Sequence, residues 1–343
     1  MNINALLNTL GTQCRTLPIV ILYVTEGCNL RCVTCSYRHP RPDELSFEDI
    51  VRLSRALKDF GLRHIVYSGG EPLLRRDLPA ICREFSSLGV RQTLLTNGVL
   101  LEKRSAEILP FLQEIIVSID GPDEGIHDGI RGGKAFHQII EGIRSVRGIP
   151  NRPAISIRTV VQKQNYRSII DMVRFARNIG TDRISFLAAD VLTDSFGRDR
   201  PGSTVMRDVI ALDREEVVEL KALIDRMGSD LREEFASGFI AEPVAKLRFI
   251  ARYYEALLGD CDYPPNVCNA PGVSAVITSN GDLLPCFFLP SYANLSDGSL
   301  PDLLNLGRIR ETRRKVQNGD IDRCRTCVCT LHVSPAAALR DHF

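Results

Sequence analysis

From residue 18 to about 190, short apolar runs rich in β-branched residues alternate with longer segments whose apolar positions recur at helical spacing. This pattern predicts parallel strands joined by crossover helices. The first run is Ile19-Val20-Ile21-Leu22-Tyr23-Val24, and five more follow at His64–Tyr67, Thr93–Thr96, Ile115–Ile119, Ile155–Val161 and Ile184–Ala188. Ser46 with Asp49 makes a capping pair that opens the first helix; Ile50, Leu53, Leu57 and Phe60 form its buried stripe, and Gly61 ends it. Later stripes are Leu78, Ile81, Phe85 and Leu88; Phe136, Ile139, Ile143 and Val146; and Tyr166, Ile169, Val173 and Ala176. Six units rather than eight predict an α/β fold with a partial (β/α)6 TIM-like barrel, open on one side. Polar residues gather where each strand ends, which is where β/α barrels build their sites.

The rhythm breaks after Asp190. Residues 190–212 are polar and punctuated by Gly and Pro, too long for a plain connection, and read as either a substrate lid or a mobile insert. Helices are expected at 213–235 and 242–258, with i,i+4 charge neighbours such as Lys221 and Asp225 on a solvated surface. Beyond them, Val273–Ile277 and Leu283-Leu284 flank Asn280-Gly281, a hairpin signature, and a helix is expected near 301–317. The expected division is a 1–17 extension, an 18–190 barrel, a 191–260 helical connection and a small cysteine-rich 261–343 domain.

Composition narrows the function. With 44% apolar residues the chain is an ordinary globular sequence, and 43 basic against 42 acidic residues leave a net charge of +1. No global field would draw it to nucleic acid or anionic lipid. No basic start with a secretory-length apolar segment opens the chain, and no run approaches 18 apolar residues. The expectation is therefore a cytoplasmic protein with neither nucleic acid nor membrane as partner, whose 11 cysteines serve metal or redox chemistry rather than disulfides. Cys82 lies on a helix's apolar face and reads as core.

Three of those cysteines fall within eight residues directly after the first strand, as C28-N-L-R-C32-V-T-C35. A four-iron cluster takes four thiolates when fully ligated, so a loop of three leaves one iron open to another ligand. Zinc is the rival occupant. The spacing and its place resemble the signature of the radical S-adenosylmethionine (SAM) enzymes. That resemblance implies a [4Fe-4S] cluster on Cys28, Cys32 and Cys35, with SAM chelating the fourth iron through its amino and carboxylate groups. It also implies a reducing partner such as flavodoxin or ferredoxin, and cleavage of SAM to methionine and a hydrogen-abstracting 5′-deoxyadenosyl radical. The family has an aromatic residue just before the third cysteine; here it is Thr34, and Tyr37 is the candidate substitute for the adenine contact. Gly69, Gly70 and Glu71 match the motif that holds the methionine amino group: the glycines let backbone approach a ligand, and Glu71 can accept from an ammonium. Ser118, Asp120 and Arg131 resemble positions that meet the ribose hydroxyls and the SAM carboxylate, which suits a guanidinium's paired donors. Asn97 is a further candidate, although its Asn-Gly context equally suits a tight turn.

Near the C-terminus, C268-x12-G281-x4-C286 and then C324-x2-C327 resemble the SPASM/twitch extension, which binds auxiliary clusters. With only Cys329 downstream, the shorter twitch form is expected. It would hold one auxiliary [4Fe-4S] cluster on Cys268, Cys286, Cys324 and Cys327, with Cys261 and Cys329 as alternates. Zinc would satisfy the same thiolates. The expected activity is hydrogen abstraction from a small polar substrate of the sugar, aminocyclitol or nucleoside type, giving oxidation, decarboxylation or epimerisation. A fully ligated auxiliary cluster favours oxidation. The Arg340-Asp341-His342-Phe343 ending differs from the Gly-Gly tail of the GTP cyclase branch, and the 17 residues before the first strand are short for a leader-binding domain. A peptide maturase and a zinc-binding scaffold are the alternatives. Arg158, inward-facing by alternation on strand five, and Asp190 beyond strand six are the candidate catalytic residues for removing a hydroxyl proton. A structural ion pair between them is the competing expectation.

Overall fold

The computed structural model describes residues 2–198 and 204–341. Six parallel strands form in chain order: β1 (Ile19–Thr25), β2 (His64–Gly69), β3 (Arg91–Thr96), β4 (Glu114–Ser118), β5 (Ala154–Val161) and β6 (Arg183–Ala188). Each is within two residues of its expected start. The helix Phe47–Asp59 begins on the expected box, in which the Ser46 side chain accepts from Asp49 N–H and the Asp49 carboxylate accepts from Ser46 N–H. Helices Leu101–Ile108 and Glu124–Arg131, which the apolar spacing had not singled out, complete the β3 and β4 units.

β1 buries both faces. Val20, Leu22 and Val24 join the core shared with the helix layer, whereas Ile21 and Tyr23 pack inside against Val276, Tyr37 and Phe287. Two faces of apolar burial, each side chain contributing about 1.5–3 kcal/mol, fix this strand in the sheet's interior.

The sheet does not stop at β1. Strand β7 (Ser274–Ile277) pairs with it in parallel, Ile19 facing Ser274 and Leu22 facing Ile277. β8 (Asp282–Leu284) and β9 (Ala293–Asn294) continue antiparallel, so nine strands run β6-β5-β4-β3-β2-β1-β7-β8-β9. The expected hairpin over Asn280-Gly281 is present, but it extends the barrel's own sheet and is not a detached unit. On the far side, β6 meets only an isolated bridge from Ile184 to Ile240. Tyr254, on the helix Val244–Leu257, pins the ends of β5 and β6 by donating to Val161 O (2.6 Å) and accepting from Ala189 N–H (3.0 Å).

The charges of the connecting helices pair across elements rather than along them. Lys221 reaches Glu255 at 2.6 Å, and Asp225 is taken by Arg248 at 2.8 Å. The expected neighbours Lys221 and Asp225 do not pair, because antiparallel packing offers each a partner on the facing helix. No described helix is long and apolar enough to cross a membrane.

Candidate active site

A cavity of about 260 Å³ opens at the C-terminal tips of the strands. Cys28, Cys32 and Cys35 line it from one side; Ser68, Gly69 and Gly70 (β2), Asn97 (β3), Ser118 (β4), Val160 (β5) and Leu187 to Asp190 (β6) line it from the strands. The cysteine loop is closed on itself by Cys28 N–H donating to Arg38 O (3.1 Å). It is braced by the Glu124–Arg131 helix, whose Arg131 and Ile130 carbonyls accept from Arg31 N–H (3.1 Å) and Val33 N–H (3.0 Å). Each thiol has a different neighbour: Asn97 Nδ2 lies 3.9 Å from Cys28 Sγ, Arg131 Nη1 3.9 Å from Cys32 Sγ, and Phe196 O 3.7 Å from Cys35 Sγ.

The glycines let two backbone segments of the protein approach closely. Gly69 has φ 111°, and a Cβ there would sit 2.2 Å from Thr25 O; one on Gly70 would sit 2.2 Å from Gly27 O. Only bare backbone fits between β2 and the cysteine loop.

Glu71 behaves differently. It is fully buried and does not line the cavity. Its carboxylate accepts from Leu73 N–H (3.0 Å), Thr96 Oγ1 (2.8 Å) and Asn97 N–H (2.7 Å). Glu71, expected as the acceptor for a ligand ammonium, is held by these three protein donors, which tie the β2 and β3 tips together. Burial pushes it up to about 7, against the pull of these three donors.

Asp120 is also directed inward. It is 2% exposed, accepts from Val160 N–H (2.8 Å), and lies 2.7 Å from Arg131 Nε, without hydrogen-bonding alignment. Arg131 lines the cavity and Asp120 does not, and the carboxylate sits behind the guanidinium it pairs with. Burial works against the charge on Arg131, but Asp120 and the Cys32 sulfur outweigh it and hold the guanidinium above its usual range. Behind this pair, His127 Nδ1 accepts from Asp120 N–H (3.3 Å), and burial together with Arg131 pushes the imidazole down to about 3. It stays neutral.

The expected Arg158–Asp190 pair does not form. Arg158 shares a strand face with cavity-lining Val160, as alternation predicted, but donates to Ser185 Oγ (2.5 Å) and does not itself line the cavity. Asp190 does line it, yet its carboxylate is committed to Leu192 N–H, Thr193 Oγ1 and buried Arg198. The partner eight residues downstream had no local signal. Arg198 spends its remaining donors on the carbonyls of Thr193, Asp190 and Thr34 and on Thr193 Oγ1, fastening the 193–198 strap over the cysteine loop.

Five further cysteines surround a second chamber of about 90 Å³: Cys268, Cys286, Cys324, Cys327 and Cys329. Cys261 is not among them; its thiol faces Glu255 and Arg252 O. Burial pushes Cys286 up to about 12 and Cys324 up to about 11, a setting in which a bound cation must replace the proton. Among the described residues, no three His, Cys, Asp or Glu side chains converge at single-ion distance. The thiols ring a chamber instead, a donor set that fits a cluster. Cys329 and Phe288 line both this chamber and the strand-tip cavity.

Comparison with known proteins identifies two domains. The Radical SAM superfamily model matches residues 22–176, and the model of the SPASM iron-sulfur cluster-binding domain matches 268–328. The chain carries a radical SAM domain followed by a SPASM domain. Among curated relatives of this radical SAM protein is a probable GTP 3′,8-cyclase of Saccharolobus islandicus, 32% identical over 177 residues, which are 50% of this chain and 57% of that one. The GTP 3′,8-cyclase of Marinobacter nauticus is 33% identical over 207 residues, 57% of this chain and 62% of its own. The matched region thus spans little more than half the length of these relatives. SuiB of Streptococcus suis, solved with its precursor peptide SuiA, superposes with a TM-score of 0.63 at 18% identity, covering 92% of this chain and 72% of its own, and shares the fold. The radical SAM domain brings a [4Fe-4S] cluster and SAM, and the SPASM domain brings auxiliary iron–sulfur binding.

Proposed function

We propose that Cys28, Cys32 and Cys35 hold the SAM-binding cluster, that the C-terminal chamber holds one auxiliary cluster, and that the enzyme oxidises a small polar substrate of the sugar, aminocyclitol or nucleoside type. The bound cluster and SAM supply one-electron cleavage of the sulfonium and a hydrogen-abstracting 5′-deoxyadenosyl group. The residues do the rest. Gly69 and Gly70 admit the methionine end against bare backbone, Arg131 meets its carboxylate, Ser118 and Asn97 offer hydroxyl and amide to the sugar, and the strap excludes water.

The observation that carries oxidation over a redox-neutral outcome is the shared wall of Cys329 and Phe288. A substrate carbinol that gives up a hydrogen atom, then its hydroxyl proton, must also lose one electron to become a carbonyl. A chamber ringed by thiols one residue away is placed to receive it and pass it to a redox partner. Among the described residues two arginines line the cavity, Arg198 held by Asp190 and Arg131 assigned to the SAM carboxylate, which leaves neither as a cradle for a triphosphate. This favours an uncharged polar substrate over a GTP-like nucleotide, the reading the curated relatives' names would suggest. A reducing, cytoplasmic setting accords with the free thiols.

The test is anaerobic turnover with a panel of sugars, aminocyclitols and nucleosides. A product two hydrogens lighter, formed one-for-one with 5′-deoxyadenosine, is expected. Loss of carbon dioxide, or an isomer of unchanged mass, would overturn the oxidative reading.

A further inference from the structure

We infer that Phe196, on the strap after β6, is the aromatic wall for the adenine of SAM, in place of the ring that Thr34 does not supply. The inference rests on the SAM-binding reading above and extends it to a residue outside the three-cysteine loop.

Polarity divides the strand-tip cavity along the sheet order. The tips of β2, β3 and β4 offer Ser68, Gly69, Gly70, Thr96, Asn97 and Ser118 with one apolar side chain, Leu95, whereas those of β5 and β6 offer Val160, Leu187, Ala188 and Ala189. Asp190, the one charge at the β6 end, is neutralised by Arg198. SAM has the same asymmetry: a zwitterionic methionine end and a flat purine. With Arg131 beside Cys32 and Asn97 beside Cys28, the charged end belongs on the β2–β4 side. The purine is left for the β5–β6 side, next to Cys35.

Phe196 occupies that side. Its carbonyl accepts from Ser36 N–H (2.9 Å) and faces Cys35 Sγ, so the residue is bolted to the cluster loop. Its backbone is left-handed, with φ 61° and ψ 32°, an outlier for a bulky aromatic that persists only where surrounding contacts impose it. Here the contacts are those two, the Arg198 clamp, whose guanidinium lies 5.5 Å from the ring centroid, and ring packing against Phe287 and Phe288 at 6.2 and 6.0 Å. Among the described residues lining the cavity, Phe196 and Phe288 carry the only aromatic rings, and Phe288 lies on the wall toward the second chamber. Tyr37 does not serve: it does not line the cavity and packs edge-on against Tyr23, centroids 6.1 Å apart.

The test is SAM binding to the anaerobically reconstituted full chain, read by equilibrium titration and by the change SAM induces in the electron paramagnetic resonance spectrum of the reduced protein. Phe196→Ala is expected to weaken SAM about tenfold or more, in line with the loss of one base-stacking ring, with iron content unchanged. Phe196→Trp is expected to retain binding. Methionine alone, which lacks the purine, should perturb the spectrum equally in wild type and Phe196→Ala. Should Phe196→Ala fail to fold, Phe196→Leu keeps the bulk without the ring and is expected to show the same loss. Wild-type affinity in either non-aromatic variant would overturn the inference while SAM binding by the parent protein stands. Absence of any SAM response in the wild-type protein would overturn the SAM-binding reading and this inference with it.

Discussion

Glu71→Gln separates a scaffold role from a ligand contact. In the native chain one carboxylate oxygen accepts from Leu73 N–H and Thr96 Oγ1, and the other from Asn97 N–H. A glutamine has one acceptor and one NH₂ group, so whichever way the amide turns, a buried N–H faces another N–H. Leaving one such donor unpaired costs about 1–3 kcal/mol. The structure therefore predicts that Glu71→Gln lowers unfolding free energy by that amount in urea titration, with similar m-value, and leaves SAM affinity within about threefold once the protein is folded. The pH dependence supplies a second reading. Glu71 is raised from 4.5 to about 7 in the fold, so the native state binds more protons across that interval. Its contribution to stability is fully present below pH 4.5 and lost as pH rises through 7. The wild type should carry this downward slope between those values and the glutamine variant should not. If Glu71→Gln instead leaves stability untouched and weakens SAM by 1.5–3 kcal/mol, the figure for a charge-assisted hydrogen bond, the carboxylate contacts the ligand and the scaffold argument is refuted.

Replacing Cys28, Cys32 and Cys35 together with alanine should leave a folded protein with about half the iron of the wild type, roughly four in place of eight per chain, and no 5′-deoxyadenosine formation; iron assay and product chromatography read both. Asp190→Asn should uncouple the strap, because breaking a buried ion pair costs about 3–5 kcal/mol. Hydrogen exchange at residues 193–198 should rise, and unchanged protection there would count against the clamp. Cys261→Ser should leave iron content unchanged while Cys286→Ser lowers it, since only the latter thiol lines the second chamber; equal loss in both would return Cys261 to the ligand set.

What was legible in the chain follows from range. The six strands, the Ser46–Asp49 box and the polar residues at strand tips are set by neighbours within a few positions, and each appears where periodicity placed it. The aim of a side chain at a strand tip is another matter. Glu71 is taken by Leu73, Thr96 and Asn97, two of them on the neighbouring strand's tip, and its motif carries no mark of those partners. Asp190 meets Arg198 rather than Arg158 because a returning loop brings in a cation that strand alternation does not track. The pairing of β7 with β1 leaves no mark on either segment, since both read as apolar runs whoever their neighbour is.

That pairing has a consequence for biosynthesis. The Ile19–Leu22 edge of the first strand is completed only by Ser274–Ile277, so during translation it stays open until the ribosome has delivered most of the chain. At about 5–20 residues per second the wait is on the order of ten to fifty seconds. Throughout it, an apolar strand with unpaired amides sits beside the nascent cysteine loop, the kind of edge that recruits other chains. A chain cut before residue 274 should accumulate in inclusion bodies even though all six strands of the barrel are encoded.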